Sequence, residues 1–177
     1  MKYLLLLVAI LYLAGCASQY SISEQQVEHY LNDKLAKQYQ LKEGSSALSM
    51  GLRSMSVTLG DKPGVMAVTA RAEVKLATPI IPLRAELQAT FAAKPMYDRS
   101  SHSIFLKDLQ LLQLTSTPAK LQQLLSGVTP QLVEMTRTLL ENQPVYVLDS
   151  HNSTQAKLAK ITQDIKVEKG KLVLQFE

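Results

Sequence analysis

Two long segments that alternate strictly between apolar and polar residues limit what this chain can fold into. Every second residue is apolar in segment 65–78, VMAVTARAEVKLAT, and segment 83–92, LRAELQATFA, repeats the pattern. Successive side chains of a β-strand point to opposite faces, so this alternation predicts two long strands, each with one buried face. Pro79 and Pro82 in the link between them keep that link outside a central ladder of hydrogen bonds.

Similar patterns flank these two strands. Segment 48–59 predicts a strand that turns at residues 60–64, and segment 102–115 predicts another. In the latter, the apolar residues shift from the phase of Phe105, Leu109 and Leu111 to the phase of Leu112 and Leu114, which predicts a β-bulge near Leu111. Four consecutive strands with one apolar face predict an antiparallel meander.

An amphipathic helix is predicted before the strands. Ser23 and Gln26 have the spacing of a capping box, and Ile22 can pack against Val27 as a hydrophobic staple. Apolar residues then recur at helical spacing, and acidic and basic residues occupy the other face. The apolar face consists of Val27, Leu31, Leu35 and Tyr39, and the polar face carries Glu24, Glu28, Asp33 and Lys37. We expect this helix to lie on the sheet.

The helical period returns after the meander. Thr117-Pro118 and Thr129-Pro130 each resemble a helix start, so we expect two helices, or one kinked helix. The second should bury Leu132, Val133, Met135, Leu139 and Leu140. A short strand at 145–148, a helical turn or two at 153–159 and a hairpin at 165–176 complete the chain. The fold class is α+β: a long N-terminal helix packed on a curved antiparallel meander, followed by helices and a C-terminal hairpin.

The first sixteen residues resemble an export signal. Lys2 gives a positive start, residues 4–13 are apolar, and two small residues precede Cys16, the one cysteine of the chain. Ten apolar residues are too few to span a bilayer. The sequence Leu-Ala-Gly-Cys resembles the bacterial lipoprotein signal, in which the cysteine is lipidated and becomes residue one; the alternative is a small buried thiol.

That resemblance implies a signal peptide at 1–15, a lipidated tether at 16–22 and a single lipid-binding-like domain at 23–177. Two or three acyl chains would anchor the protein stably to a membrane. Ala17 and Ser18 follow the cysteine where an inner-membrane retention signal has an aspartate. The resemblance therefore implies a location at the outer membrane, facing the periplasm.

The chemistry-bearing residues do not form a recognisable active site. His29, His102 and His151 lack ligand spacing, so we expect no metal and no cofactor. No nucleophile motif occurs in its expected context, and we expect no enzymatic activity. The formal charge of +4 is spread along the chain, which argues against a nucleic-acid partner.

The apolar face of the two central strands contains an unusual number of small residues, namely Ala70, Ala72, Ala85 and Ala89. Small side chains let covering helices pack closely against a sheet. Alternatively, they leave a groove for an acyl chain. The sequence alone leaves both possibilities open.

Several motifs together resemble the YceB-like family of Gram-negative lipoproteins. They are the lipidation signal, the helix, the long strands, TPAKLQQLLSG at 117–127, PVYVL at 144–148 and I-x-V-x-x-G-K-L-V-L-x-F at 165–176. The resemblance covers essentially the whole mature chain. Members of that family are similar to the tubular lipid-binding (TULIP) superfamily, in which a curved sheet wraps a long helix around an apolar tube.

We therefore expect a periplasmic lipoprotein that binds a lipid or another elongated hydrophobic molecule. The tube would be lined by the inward residues of the two central strands: Met66, Val68, Val74, Leu76, Leu83, Leu87 and Phe91. Its partners would be the membrane, through the lipid anchor, and the ligand. The alternative is a structural or adaptor lipoprotein with a solid core that docks an envelope protein.

Overall fold

The computed structural model describes residues 20–40, 48–77, 83–119 and 129–176, and these form two antiparallel sheets with helices on them. The strands are β1 (Ser21–Ser23), β2 (Leu48–Leu59), β3 (Met66–Leu76), β4 (Leu83–Asp98), β5 (Ser103–Thr117), β6 (Tyr146–Val147), β7 (Thr162–Glu168) and β8 (Lys171–Phe176). The helices are α1 (Glu24–Leu31), α2 (Thr129–Asn142) and α3 (Ser153–Ile161), and a π-helical segment at Asn32–Ala36 continues α1. The mixed α+β class with antiparallel sheets is confirmed.

The larger sheet has the strand order β2-β3-β4-β5-β6, and the smaller has the order β1-β8-β7. Strand β4 continues to Asp98, beyond the segment that alternation predicted, and it contains Pro95. Its pairing with β5 is irregular between Ala92 and Lys94, directly before this proline. Proline is tolerated next to such an irregularity because the ladder of hydrogen bonds is already interrupted.

Strand β5 contains the predicted bulge and a second one. Thr90 pairs with Gln113 and Phe91 with Leu111, so Leu112 is the extra residue, and its side chain is 54% exposed. The second irregularity lies near Asp108, which has a φ of 56°.

This second bulge reverses the phase of the alternation at the start of β5. The prediction that Phe105 faces inward is therefore wrong: Ile104 and Leu106 are fully buried, and Phe105 is half-buried.

The capping box at the start of α1 is present. The Ser23 hydroxyl accepts a hydrogen bond from the Gln26 N–H, and the Ser23 N–H donates to the Gln26 side chain over 2.9 Å. Ile22 and Val27 are both fully buried in the core. Ile22, predicted in the tether, belongs to β1 and pairs with β8.

The polar face of α1 covers the free edge of β2. Glu24 Oε1 accepts from the Leu59 N–H over 2.6 Å, and Glu28 Oε2 accepts from the Val57 N–H over 3.3 Å. Four residues of a helix span about 6 Å along its axis, and two residues of a strand span about 6.7 Å. Glutamates four positions apart on α1 can therefore each reach every second N–H of β2. This face therefore has a structural partner that helical periodicity alone did not indicate.

One contiguous core lies between α1, the smaller sheet and about half of the larger sheet. Phe91, Met66, Leu31, Ile104 and Leu172 are among its fully buried members. We call the rest of the larger sheet, formed by segments 48–51, 72–76, 83–88 and 115–117, the distal half.

Some predictions fall outside the described residues: the export signal with Cys16, the link with Pro79 and Pro82, and the helix expected after Pro118. Helix α2 begins at Thr129. Within the described ranges, no helix has the length and apolar character needed to cross a bilayer.

Candidate functional site

The predicted lining residues lie on the inner face of β3 and β4 in direct register. Val68 pairs with Phe91, Ala72 with Leu87, and Leu76 with Leu83. Met66, Val68 and Phe91 are completely buried members of the contiguous core. These three therefore share one core with side chains of α1 and the smaller sheet, at the end of the face farthest from the distal half.

The other predicted residues belong to the distal half. Val74 and Leu87 are buried, yet neither belongs to the contiguous core, and Leu83 is half-buried. The side chain of Leu76 lies outside the described set. The inner face is thus divided between residues that belong to the main core and residues that lie outside it.

A small cavity of about 20 Å³ marks the boundary between the core and the distal half. From the sheet, Met50, Ala70, Ala72, Leu87, Ala89 and Leu114 line it, and Val133 and Thr136 line it from α2. Three of the four alanines on the predicted apolar face, Ala70, Ala72 and Ala89, are thus among its walls. The volume suffices for about one water molecule and is far too small for an acyl chain while α2 stays in place.

Helix α2 forms the outer wall of this cavity. Val133, Thr136 and Leu140 occur at the spacing of one helix face, and Leu140 is fully buried in the main core. The prediction that Met135 is buried is wrong, because it lies two residues from Val133 and is 53% exposed. Two residues turn a helix by about 200°, which places Met135 on the opposite face.

Two buried polar atoms near this helix have no hydrogen-bond partner among the described residues. They are Ser116 Oγ on β5 and Arg137 Nε on α2. Ser116 pairs with Leu87, and Arg137 follows Thr136, so each lies next to a residue of the cavity wall. A buried polar atom without a partner costs about 1 to 3 kcal/mol. The interface between α2 and the sheet is therefore less well satisfied than the main core.

Sequence reasoning missed the contributions of Met50, Leu114 and Thr136 to this wall. Leu114 was placed on the inner face by alternation, but its distance from the alanines along the chain hid their proximity. In the part of the chain that the structure describes, no group of three or more histidine, cysteine, aspartate or glutamate residues could hold a metal ion.

These features define a class of protein: an antiparallel sheet with a helix over its edge and an imperfectly filled apolar seam beneath a second helix. Comparison of sequences places it more narrowly. The chain belongs to the family described as "Protein of unknown function (DUF1439)", whose match spans residues 22–171. The resemblance to YceB-like lipoproteins is confirmed.

The chain is 27% identical over 173 residues to the "Uncharacterized lipoprotein YceB" of Escherichia coli (strain K12), covering 93% of this chain and 91% of that protein. The protein of the same description in Shigella flexneri gives the same values. That of Salmonella typhimurium (strain LT2) is 27% identical over 170 residues, with the same coverage.

A solved structure described as "Crystal structure of lipopolysaccharide binding protein" superposes with a TM-score of 0.31 and 13% identity. The superposition covers 88% of this chain and 48% of the other, so the chain spans about half the length of that protein.

Proposed function

We propose that this protein is a membrane-anchored envelope lipoprotein that binds a lipid or another elongated hydrophobic molecule between the distal half of the larger sheet and α2. The observation that carries the proposal is the seam beneath α2. It combines three alanines, a residual cavity and two unpartnered polar atoms at one helix–sheet interface. A seam of this kind is where a protein of this fold can open with the least loss of packing.

The binding mechanism is desolvation. When α2 moves outward, the aliphatic side chains of the seam, such as Leu87, Leu114 and Val133, would face an acyl chain. Each Å² of apolar surface that the chain removes from water contributes about 25 cal/mol. The alanines provide width, since they end close to the backbone. Catalysis has no part in this mechanism, and the polar headgroup would stay at the opening.

The predicted residues take different roles in this proposal. Val74, Leu83 and Leu87, with Leu76, would line the path of the acyl chain along the distal half. Met66, Val68 and Phe91 would form its closed end, because they are already packed in the main core. The TULIP-like arrangement of helix, sheet and hairpin around an apolar tube belongs to this proposal.

The anchor is proposed at Cys16. Relatives that match over 93% of this chain are described as lipoproteins, which supports lipidation of this cysteine after removal of residues 1–15. Residues 16–22 would then connect the anchor with a single domain at 23–177. Ala17 and Ser18 support sorting to the outer membrane, with the domain facing the periplasm.

Tryptophan substitutions on adjacent residues of β4 test the lipid site. Leu87 faces the cavity and Glu86 is exposed on the other face, and the natural chain contains no tryptophan. In Leu87→Trp, bromine-labelled fatty acid should quench the introduced fluorophore, and the bulky ring should weaken binding. In Glu86→Trp, affinity and stoichiometry should equal those of the natural protein, with no quenching.

Equal quenching in the two variants, or unchanged affinity in a folded Leu87→Trp protein, would place the lipid elsewhere. Circular dichroism of both variants establishes that they are folded.

An adaptor role is the second candidate, and the exposed leucines of β5 favour it. Leu111 is 38% exposed and Leu112 is 54% exposed, side by side at a bulge. Contiguous exposed apolar patches mark docking surfaces, and in this role the two leucines would form the centre of such a patch. This role predicts that no lipid binds and that cross-linking to one envelope protein is lost in Leu112→Ser.

A further inference from the structure

A polar groove lies apart from the apolar seam, between α1 and the chain around β6. Its volume is about 610 Å³, within the range of small-molecule sites. One wall is a stripe of α1 and the π-helical segment: Gln26, His29, Tyr30, Asp33 and Lys34. The facing wall consists of Tyr146, Val147, Asp149 and Gln155. It shares no residue with the cavity beneath α2.

The aromatic part of the groove is held in place by one amide. Gln155 Oε1 accepts from the Asp149 N–H over 2.7 Å, which fixes the orientation of the side chain. Its Nε2 donates to the hydroxyls of Tyr20 and Tyr146, over 3.3 and 3.4 Å. Because the hydroxyl oxygen of Tyr146 accepts from this amide, the Tyr146 proton is free to donate to a ligand in the groove.

The two tyrosines of opposite walls form a pair. The ring centroids of Tyr30 and Tyr146 are 5.7 Å apart with the planes tilted by 48°. Burial raises the pKa of both hydroxyls above its usual value, so both rings stay neutral at physiological pH. Neutral aromatic rings attract cations through their electron-rich faces.

The charges in the groove are divided between its walls. On the helical wall, Lys37 pairs with Asp33, and its hydrogen bond and charge hold the pKa of Asp33 below its usual value. The charge of Lys34 also lowers the pKa of Asp33, but among the described residues Lys34 forms no salt bridge. On the facing wall, Asp149 is a carboxylate beside Tyr146. A ligand that carries an anion and a cation a few ångströms apart would match both walls.

The groove is also close to the proposed membrane anchor. The carbonyl of Tyr20 accepts from the Leu174 N–H over 2.9 Å, which ties this residue to β8. Tyr20 lies four positions after Cys16, a reach of at most about 14 Å. This step rests on the lipidation of Cys16 in the proposed function, and it places the groove near the headgroup layer of the membrane.

We propose that this groove binds the zwitterionic headgroup of a phospholipid, with the phosphate at Lys34 and His29 and the ammonium group at Asp149 and the tyrosine pair. A phospholipid headgroup and its soluble analogues have the same recognised chemistry, a phosphate ester that carries an amine. We propose that the bound headgroup belongs to a lipid of the bilayer in which the protein is anchored.

Calorimetric titration of the full-length chain, purified in a polyoxyethylene detergent, tests the chemistry. Glycerophosphoethanolamine should bind at least about tenfold more tightly than glycerol phosphate or ethanolamine, as each of these lacks one charge-assisted contact. Lys34→Met and Asp149→Asn should each lower the affinity for glycerophosphoethanolamine about tenfold.

The control variant is Lys62→Met, at an exposed lysine of the β2–β3 turn, and its affinity should equal that of the natural protein. Tighter binding of a disaccharide, or equal loss in the control, would overturn the proposal.

A second experiment tests whether the bilayer supplies the bound headgroup. In vesicles that contain phosphatidylethanolamine, the headgroup of this lipid should already occupy the groove. Soluble glycerophosphoethanolamine should therefore bind only when the protein is in vesicles of phosphatidylglycerol. Equal binding in both would overturn the membrane source. Leu87→Trp should leave this binding unchanged, which separates a failure here from a failure of the apolar site.

Discussion

Asn32 pairs with the backbone of Met55 through two hydrogen bonds, as a neighbouring strand would. Its amide oxygen accepts from the Met55 N–H over 2.9 Å, and its Nδ2 donates to the Met55 carbonyl over 2.7 Å. The same Nδ2 donates to the carbonyl of Glu28 at the end of α1. Together with Glu24 and Glu28, Asn32 therefore supplies hydrogen-bond partners to backbone groups along the edge strand β2. An edge satisfied in this way is protected from pairing with another chain.

Removing this side chain should destabilise the protein. Asn32→Ala leaves a half-buried N–H and a carbonyl of β2 without their partners, and we expect the free energy of unfolding to fall by about 2 kcal/mol. Urea denaturation measures it. Gln25→Ala, at an exposed position of α1, should change it by less than about 0.5 kcal/mol. Equal effects of the two substitutions would show that the pairing contributes nothing.

Gly60 and Gly64 form a matched pair in the turn between β2 and β3. Both have positive φ, at 76° and 72°. A Cβ on Gly60 would lie 2.7 Å from backbone atoms of Glu168 and Lys169, whereas one on Gly64 would meet nothing within 4 Å.

Gly64→Ala should therefore cost about 1 kcal/mol of stability, for the backbone conformation alone. Gly60→Ala should cost clearly more, because the clash is with backbone that cannot move aside. Thermal denaturation of both proteins measures the difference, and a smaller loss for Gly60→Ala would contradict the contact between this turn and the β7–β8 hairpin.

Asp98 gives a pH-dependent prediction at the turn between β4 and β5. Hydrogen bonds from the Ser101 and Ser100 hydroxyls lower the pKa of this carboxyl from 3.8 to about 2. The pKa is lower in the folded than in the unfolded chain, so the contribution of Asp98 to stability is complete above pH 4 and disappears as the pH falls toward 2.

In Ser101→Ala, the pKa of Asp98 measured by NMR titration should rise toward 3.8. The stability difference from the natural protein should shrink between pH 4 and pH 2. Ser150→Ala, at another exposed turn, should leave the titration of Asp98 unchanged. An unshifted pKa in Ser101→Ala would mean that other groups hold the carboxylate.

Cys16 should decide where the protein is found in the cell. Cys16→Ser removes the thiol that would receive the lipid, so the chain should no longer incorporate labelled palmitate and should leave the membrane fraction. Fractionation and autoradiography measure both. Label that persists in Cys16→Ser would exclude this cysteine as the lipidation site.

The sequence was informative where structure depends on neighbouring residues. The capping box at Ser23 and the bulge near Leu111 follow from local patterns, and both are present. The second bulge, near Asp108, was missed because the apolar residues of this segment show only one change of phase. A single change of phase indicates one bulge, whereas the pairing of β4 with β5 contains two. The roles of Glu24 and Glu28 depend on a strand about thirty residues away, which helical periodicity does not encode.

The two candidate sites also differ in how far local sequence patterns could predict them. The alanines of the seam could be identified from the alternation of β3 and β4. The wall contributed by α2 could not, because Val133 reaches the cavity only through packing. The polar groove was missed entirely: Tyr20 and Gln155 are separated by 135 positions in the sequence, and no local signal connects them.

The most direct test of lipid binding beneath α2 is native mass spectrometry of the full-length protein, with extraction and identification of any lipid that remains bound. We expect one phospholipid or fatty acid per chain, at lower occupancy in Leu87→Trp and at unchanged occupancy in Glu86→Trp. A mass of the chain and its covalent anchor alone, together with no binding of added fluorescent lipid, would contradict this expectation.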